Sequence, residues 1–290
     1  MKHIFLVNSF SLKNKTTSMV KAIEAVCREE KIDYDIEINT SYLSTEDILD
    51  KYSEDKNIII AIGGDGTINR VLNGIVNTNN ILGYIPYGTG NDFYRTNKEL
   101  LKDGINKIDL VKINEKYFIN IACFGIDADI ANQEELKFKF IPEKQKYNIG
   151  LVRNFLTYRA KHFEVDINDK TIEDDFTTIA VCNARYYGGG YRVSPNSKVN
   201  DGLLEVVLVR KTNKANMARL ITSMKEAKHL LSNKVDVIQT DKLTIKSPKK
   251  VGCNIDGEKY VSDSFDIELI KDGINIYYNQ DMINKVLKKV

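Results

Sequence analysis

Short apolar runs alternate with stretches of helical period through the first hundred residues. Ile4 to Val7 is apolar throughout and predicts a strand, and residues 15–30 place Met19, Ile23, Val26 and Cys27 at helical spacing. Tyr34 to Ile38 alternates as a strand, and Leu43 to Tyr52 predicts a short helix. Residues 58–62 predict a buried strand. A helix over 67–77 follows it, with Ile68, Val71, Leu72 and Ile75 three and four apart. Ile81 to Pro86 is a further strand. Repeated strand–helix units imply a parallel, doubly wound sheet. After about residue 108 the texture changes to short alternating stretches at 108–113, 117–123, 163–167, 177–183, 203–209, 235–239, 242–246 and 265–270. Turns rich in Asn, Asp, Gly and Lys separate them, the pattern of an antiparallel sandwich or barrel. Helical segments interrupt near 147–161 and 214–231. The fold expected is α/β plus β. An α/β domain over residues 1–110 precedes a β-rich domain over residues 111–277.

The chemistry gathers where apolar runs break into glycine. The run ending at Ile62 passes into Gly63-Gly64-Asp65-Gly66-Thr67 and then into the helical pattern. Such a turn aims backbone N–H groups and the positive end of a helix at one point, a seat for phosphate. Asp65 sits in the middle of it, and a carboxylate beside a polyphosphate is repulsive unless a cation lies between them. A plain turn with an Asp cap needs fewer glycines than the three found here. Gly88-Thr89-Gly90-Asn91-Asp92 repeats the logic one strand later: strand end, glycines, hydroxyl, carboxylate. Both loops fall at the carboxyl edge of the expected sheet, where ligands bind in such folds. Asp65 and Asp92 could therefore share a Mg²⁺-and-water network. The chain contains no Gly-x-x-x-x-Gly-Lys-Ser/Thr, and the second loop lacks the third glycine of the dinucleotide fingerprint.

Composition narrows the partners. The 290 residues are 42% apolar and 28% charged, enough for a substantial core. A net charge of only +2 gives no global signature of nucleic-acid binding. Cys27, Cys123, Cys182 and Cys253 lack zinc-ligand or redox spacing, and His3, His162 and His229 are scattered. Any metal should thus be a hard cation held by oxygen. Met1 to Phe10 lacks the apolar length of a signal peptide, and no run reaches the roughly 20 apolar residues of a membrane span. The expectation is a cytoplasmic chain that meets any lipid from the water side. Residues 134–161 hold seven Lys/Arg against three Glu, with Leu136, Phe138, Phe140 and Ile141 among them. That mixture suits an interfacial element on anionic lipid, and equally a solvated helix with its apolar face on the core.

Two later motifs complete the set. In Asn254-Ile255-Asp256-Gly257-Glu258, an extended strand would point Asp256 and Glu258 to the same face, where one could accept a proton from an attacking hydroxyl. Gly188-Gly189-Gly190-Tyr191-Arg192 leads on to Lys198-Val199-Asn200-Asp201-Gly202-Leu203, which reads as a hairpin turn before a strand.

These four motifs in this order resemble the catalytic domain of diacylglycerol kinases, nearest to the soluble bacterial lipid kinases. The first motif alone is shared with NAD kinases. The resemblance implies a nucleotide domain and a β-sandwich-like second domain with the active cleft between them. It also implies a C-terminal tail, about 278–290, that returns to the first domain. It implies that ATP contacts Asn8, Thr40, Gly63, Gly64, Asp65, Gly66, Thr67, Asn69, Arg70, Gly88, Thr89 and Asn91. Asp65 and Asp92 would organise the catalytic Mg²⁺, and Glu258 would accept the proton with Asp256 close by. A structural Mg²⁺ would sit on Asp201 and the carbonyls of Lys198 and Leu203. Where the family usually carries Asn-Pro-x-Ser-Gly, this chain has Asn8-Ser9-Phe10-Ser11-Leu12, which keeps Asn8 and Ser11 and loses the Pro and Gly. Lys13 or Lys15 could compensate. The expected substrate is a lipid hydroxyl presented at a membrane surface, diacylglycerol first among them. A free sheet edge would leave room for a homodimer. An NAD kinase-like phosphotransferase and a nucleotide- or lipid-binding protein without turnover remain as alternatives.

Overall fold

The computed structural model describes residues 1–40, 44–125 and 158–290, leaving aside the side chains of Ser11 and Lys13. The basic segment expected to meet lipid falls almost wholly outside these residues, as does most of the helix expected near 147–161.

The apolar runs of the first half become the centre of a parallel sheet. Strands β1 (His3–Asn8), β3 (Ile58–Gly63) and β4 (Ile81–Pro86) are buried almost throughout, because helices cover both faces. β2 (Tyr34–Asn39) pairs with β1 at one edge, so the order is β2-β1-β3-β4, all parallel. Between them run α1 (Ser9–Leu12), α2 (Thr16–Glu29), α3 (Thr45–Asp50), α4 (Asp65–Ile75) and α5 (Asp92–Leu100). α2 buries Met19, Ala22, Ile23, Val26 and Cys27, the stripe its spacing predicted. Ser44 and Asp47 close a reciprocal capping box at the start of α3.

The second half is antiparallel. It contains β5 (Gly104–Ile113), β6 (Lys116–Phe118), β7 (Ile121–Gly125), β8 (Lys161–Ile167), β9 (Lys170–Cys182), the small hairpin β10 (Tyr186–Tyr187) and β11 (Tyr191–Arg192), and β12 (Leu204–Arg210). After helix α6 (Lys214–Ser223) come β13 (Val235–Thr240), β14 (Lys242–Ile255) and β15 (Glu258–Tyr278). The path β13-β12-β9-β7-β14-β15 continues into β4, making one sheet of 13 strands among the described residues. Phe124, Phe163, Phe176 and Phe265 fill the core of this half, with Phe124 and Phe265 edge-on at 4.8 Å between centroids. A smaller cluster, including Cys182, Val207 and Leu220, lies between the sheet and α6.

Two strand expectations change in length. The stretches 242–246 and 265–270 are parts of much longer strands, 14 and 21 residues, whose pairing shifts register between Lys246 and Val251. The expected strand 117–123 is broken at Ile119 and Asn120. Likewise the helical segment 214–231 divides at Ala227, which sits at φ 59° between two 3-10 turns. β15 ends inside the first domain. Its Ile276 and Tyr277 lie parallel to Leu82 and Gly83 of β4. The chain then closes with α7 (Gln280–Lys289), which buries Met282, Ile283 and Val286 and pairs Lys285 with Glu30 of the turn after α2 (2.5 Å). No helix among the described residues is long and apolar enough to cross a membrane.

Candidate active site

The glycine loops meet at the carboxyl edge of the parallel sheet. α4 starts at Asp65 directly after β3, with Gly64 in an extended cap conformation. A Cβ on Gly63 would stand 2.4 Å from Thr67 Oγ1, and one on Gly88 would stand 2.6 Å from Gly64 Cα. The two loops therefore touch backbone to backbone, an approach only glycine allows. Asn91 takes a left-handed conformation (φ 53°) and closes its loop by accepting from the Gly88 N–H (3.0 Å) and donating to the Gly88 carbonyl (2.9 Å).

That contact brings the two aspartates together. The Asp65 carboxylate accepts the N–H groups of Asp92 (3.0 Å) and Phe93 (3.1 Å), so the first residue of α4 caps the start of α5. Asp92 Oδ2 accepts from Gly189 N–H (2.8 Å), which ties the triple-glycine loop of the second domain to the pair. A Cβ on Gly90 would lie 3.2 Å from Asp65 Oδ2 and 3.6 Å from Asp92 Oδ2, so both carboxylates flank one glycine. Asp92 Oδ1 is buried with no hydrogen-bond partner, and Arg95 Nε stands 3.7 Å away. Burial raises the pKa of Asp65 and pushes that of Asp92 up to about 6. For Asp92 the neighbouring charge of Asp65 adds to the rise, by less than burial does.

The Asp256 motif behaves differently from the expectation. Asp256 and Gly257 have φ of 49° and 98°, the two-residue turn that joins β14 to β15, with Ile255 opposite Glu258. Asp256 is therefore a turn residue and not an extended one, and the same-face argument fails for it. Its buried carboxylate accepts from the backbone N–H groups of Ile119 (3.0 Å), Asn120 (3.2 Å) and Ile121 (2.8 Å). It mends the break between β6 and β7. Burial still outweighs those donors and raises its pKa to about 6. Glu258 turns the other way, to α4. Its Oε1 lies 3.2 Å from where a Cβ on Gly66 would stand, and Arg70 holds that oxygen through Nε (3.0 Å) and Nη2 (2.9 Å).

Two models of known domains match this arrangement. Residues 2–117 match the diacylglycerol kinase catalytic domain, and residues 120–276 match the YegS C-terminal NAD kinase beta sandwich-like domain. The chain belongs to the diacylglycerol kinase family. Membership makes it an ATP-dependent lipid kinase. A diacylglycerol kinase of Bacillus subtilis is 29% identical over 69% of this chain and 71% of its own length. One of Staphylococcus epidermidis is 27% identical over 91% and 88%. The crystal structure of a diacylglycerol kinase from Bacillus anthracis superposes with a TM-score of 0.65 at 20% identity, covering 97% of this chain and 98% of that one. A second solved chain from the same organism reaches 0.71 at 22%, over 97% and 96%. At these identities the solved structures speak for the fold.

The other residues singled out for this diacylglycerol kinase-family site divide between the cleft and its framework. Asn8 donates to Thr67 Oγ1 (3.0 Å), joining the end of β1 to the Gly63–Thr67 loop, and its Oδ1 accepts from Phe10 N–H. Gly88 and Thr89 are exposed at the loop tip, and Thr40 is exposed just after β2. Asn69 is buried and donates to the Tyr117 carbonyl (2.9 Å) and Asp256 Oδ2 (3.4 Å), so it joins the domains. Lys15 is exposed in a single 3-10 turn. The Lys198–Leu203 turn lies apart from the Asp65–Asp92 pair. There Asp201 Oδ1 accepts from Leu203 N–H (3.2 Å), and burial followed by the charge of Asp109 raises its pKa. Asp109 itself was not legible as a site residue. It reads as one polar position in β5, yet it accepts from Gly202 N–H (2.8 Å) and Asp272 N–H (3.0 Å). Arg95 was missed as well; its place three residues after Asp92 on a helix was the available signal.

Proposed function

We propose that this protein is a Mg²⁺-dependent kinase that transfers the γ-phosphate of ATP to the hydroxyl of diacylglycerol, giving phosphatidic acid. The observation that carries this is the buried Asp92 Oδ1 beside Asp65 at the tip of two glycine loops, which accepts no hydrogen bond and meets Arg95 Nε at 3.7 Å. A buried anionic oxygen without a donor suits a cation. Among the described residues no group of three or more His, Cys, Asp or Glu converges, so two carboxylates would be the protein's share of the ligands. That fits Mg²⁺, which keeps waters and takes phosphate oxygens. When bound, the ion supplies charge neutralisation at the phosphates.

The chain's own groups do the rest. The start of α4 would offer its free N–H groups and positive end to the phosphates. Gly64 and Gly88 let the two loops close on each other, which sets Asp65 beside Asp92. Arg70 fixes Glu258 over the first turn of α4 through Oε1, which leaves Oε2 to accept the proton of the attacking hydroxyl. Asp256 fixes the hairpin that carries Glu258 and acts by positioning. We read Asp201, with Asp109 beside it and the carbonyls of Lys198 and Leu203, as the holder of a second, structural Mg²⁺.

Incubation with radiolabelled ATP and a panel of diacylglycerol, monoacylglycerol, sphingoid bases and NAD tests the reading. Labelled phosphatidic acid in the presence of Mg²⁺ is the expected product. Label on NAD with none on any lipid overturns it.

A further inference from the structure

One face of the second domain carries chemistry that phosphoryl transfer does not use. Between Lys211 and Lys234 the chain has six basic residues and one acid, Glu226, although the whole protein has a net charge of only +2. α6, the 3-10 turn Lys228–Leu231 and the residues after it line an open hollow of about 610 Å³. Arg219, Lys228 and Lys234 line it together with Ser223, Ser232 and Asn233, and no carboxylate does. Lys228 pairs with Glu226 (2.5 Å), outside the lining. Among the described residues Arg219 and Lys234 pair with no carboxylate. Leu231 stands in the same lining and is 86% exposed, the most of any large apolar side chain described.

This face is fastened to the wall of the cleft. The buried His229 ring places Nε2 2.9 Å from the Val193 carbonyl, and Lys225 Nζ lies 5.6 Å from the centre of the Tyr191 ring. Tyr191 and Val193 follow directly on the glycine loop whose Gly189 N–H holds Asp92. A surface engaged here therefore holds the cleft near whatever it engages.

Three occupants compete for such a face, and they ask for different things. A free phosphate needs the cations and hydroxyls but has no use for a bare leucine. A nucleic acid needs a long basic stripe, and the remainder of the chain is close to neutral. An anionic bilayer uses every part: the hollow takes a headgroup phosphate, the surrounding cations feel the negative surface potential, and an apolar side chain enters the acyl boundary.

We propose that the α6 face, through Arg219, Lys228, Lys234 and Leu231, docks this protein on an anionic phospholipid bilayer. The purpose of the docking rests on the lipid-kinase reading, while the binding itself is measurable without turnover. The full-length protein is floated with vesicles of phosphatidylglycerol and phosphatidylcholine at a ratio of about one to two, and with phosphatidylcholine alone, at low and high salt. Binding to the anionic vesicles only, weakened by salt, is expected. Leu231→Asp and the double variant Arg219→Glu/Lys234→Glu should each lower the bound fraction about tenfold. Both should keep wild-type activity on diacylglycerol dispersed in detergent micelles, because neither touches the cleft. Unchanged vesicle binding in both variants overturns the proposal. So does equal binding to neutral vesicles, or full release by millimolar inorganic phosphate at constant ionic strength. If wild-type protein floats as expected but phosphorylates no lipid in micelles, the docking stands and the kinase reading falls.

Discussion

The cleft holds two acidic motifs built on opposite principles. Asp65 and Asp92 are first residues of helices, placed there by strands that end in glycine, and one of their oxygens is left without a donor. Asp256 lies in a two-residue hairpin turn and Glu258 follows it, and there the left-handed conformations of Asp256 and Gly257 separate two nearby acids. Asp256 is turned inward to three amides, while Glu258 is left half-exposed beside α4. Two acids two residues apart thus turn to different partners, whereas two acids 27 residues apart flank one glycine. Side-chain chemistry nominates a carboxylate; local φ and ψ decide whether it faces a ligand.

The largest break in that comparison should come from Asp65→Ala. Loss of a carboxylate on the phosphate side should cut kcat on the order of 10³-fold or more, with the far-ultraviolet spectrum retained. A variant within tenfold of wild type would remove Asp65 from the chemistry. Glu258→Gln should lower kcat by roughly 10²–10⁴ with little change in the KM for ATP, as measured by initial rates. Asp256→Asn sharpens the contrast. Its kcat should fall less than about tenfold, while the fold loses about 1–3 kcal/mol because three buried N–H groups face an amide. A stability equal to wild type in urea denaturation would contradict the positioning role.

The smallest effect is one of pH. The folded-state pKa of Asp256, about 6, lies above the unfolded value near 3.9, so the native protein takes up a proton first as pH falls. Its contribution to stability therefore grows from pH 7 to pH 5, by about 1 kcal/mol. His3 and His229, whose pKa values burial lowers, pull the other way, so the test is a difference. The gap in Tm between wild type and Asp256→Asn should widen by about 2–4 °C at pH 5 relative to pH 7. Parallel profiles would show that Asp256 does not titrate there.

Much of this was legible in the chain because burial writes itself into composition. Strands covered on both faces, such as Ile58–Gly63, must be apolar at every position, and the glycines that follow them must be small for the loops to touch. The meeting of Asp65 with Asp92 follows from those two facts. The inward turn of Asp256 does not, since an Asp-Gly pair is compatible with both a turn and a strand end. Neither does the grip of Arg70 on Glu258, made across 188 residues. The long hairpin β14–β15 was hidden for another reason. Lys246–Lys250 and Lys271–Gly273 look like loops, yet the first bridges a register shift and the second sits at a bulge where Ile270 and Ile274 resume pairing with β5.

β15 begins at Glu258 as one arm of the Asp256–Gly257 hairpin and finishes as a neighbour of β4. The parallel sheet is thus completed by residues made nearly 200 positions after β4. Until they emerge, β4 presents a bare edge, and the amino-terminal half cannot mature ahead of the remainder. Folding of the two halves is coupled by connectivity of very high sequence separation, which predicts slow, late assembly and an early chain that depends on protection from aggregation.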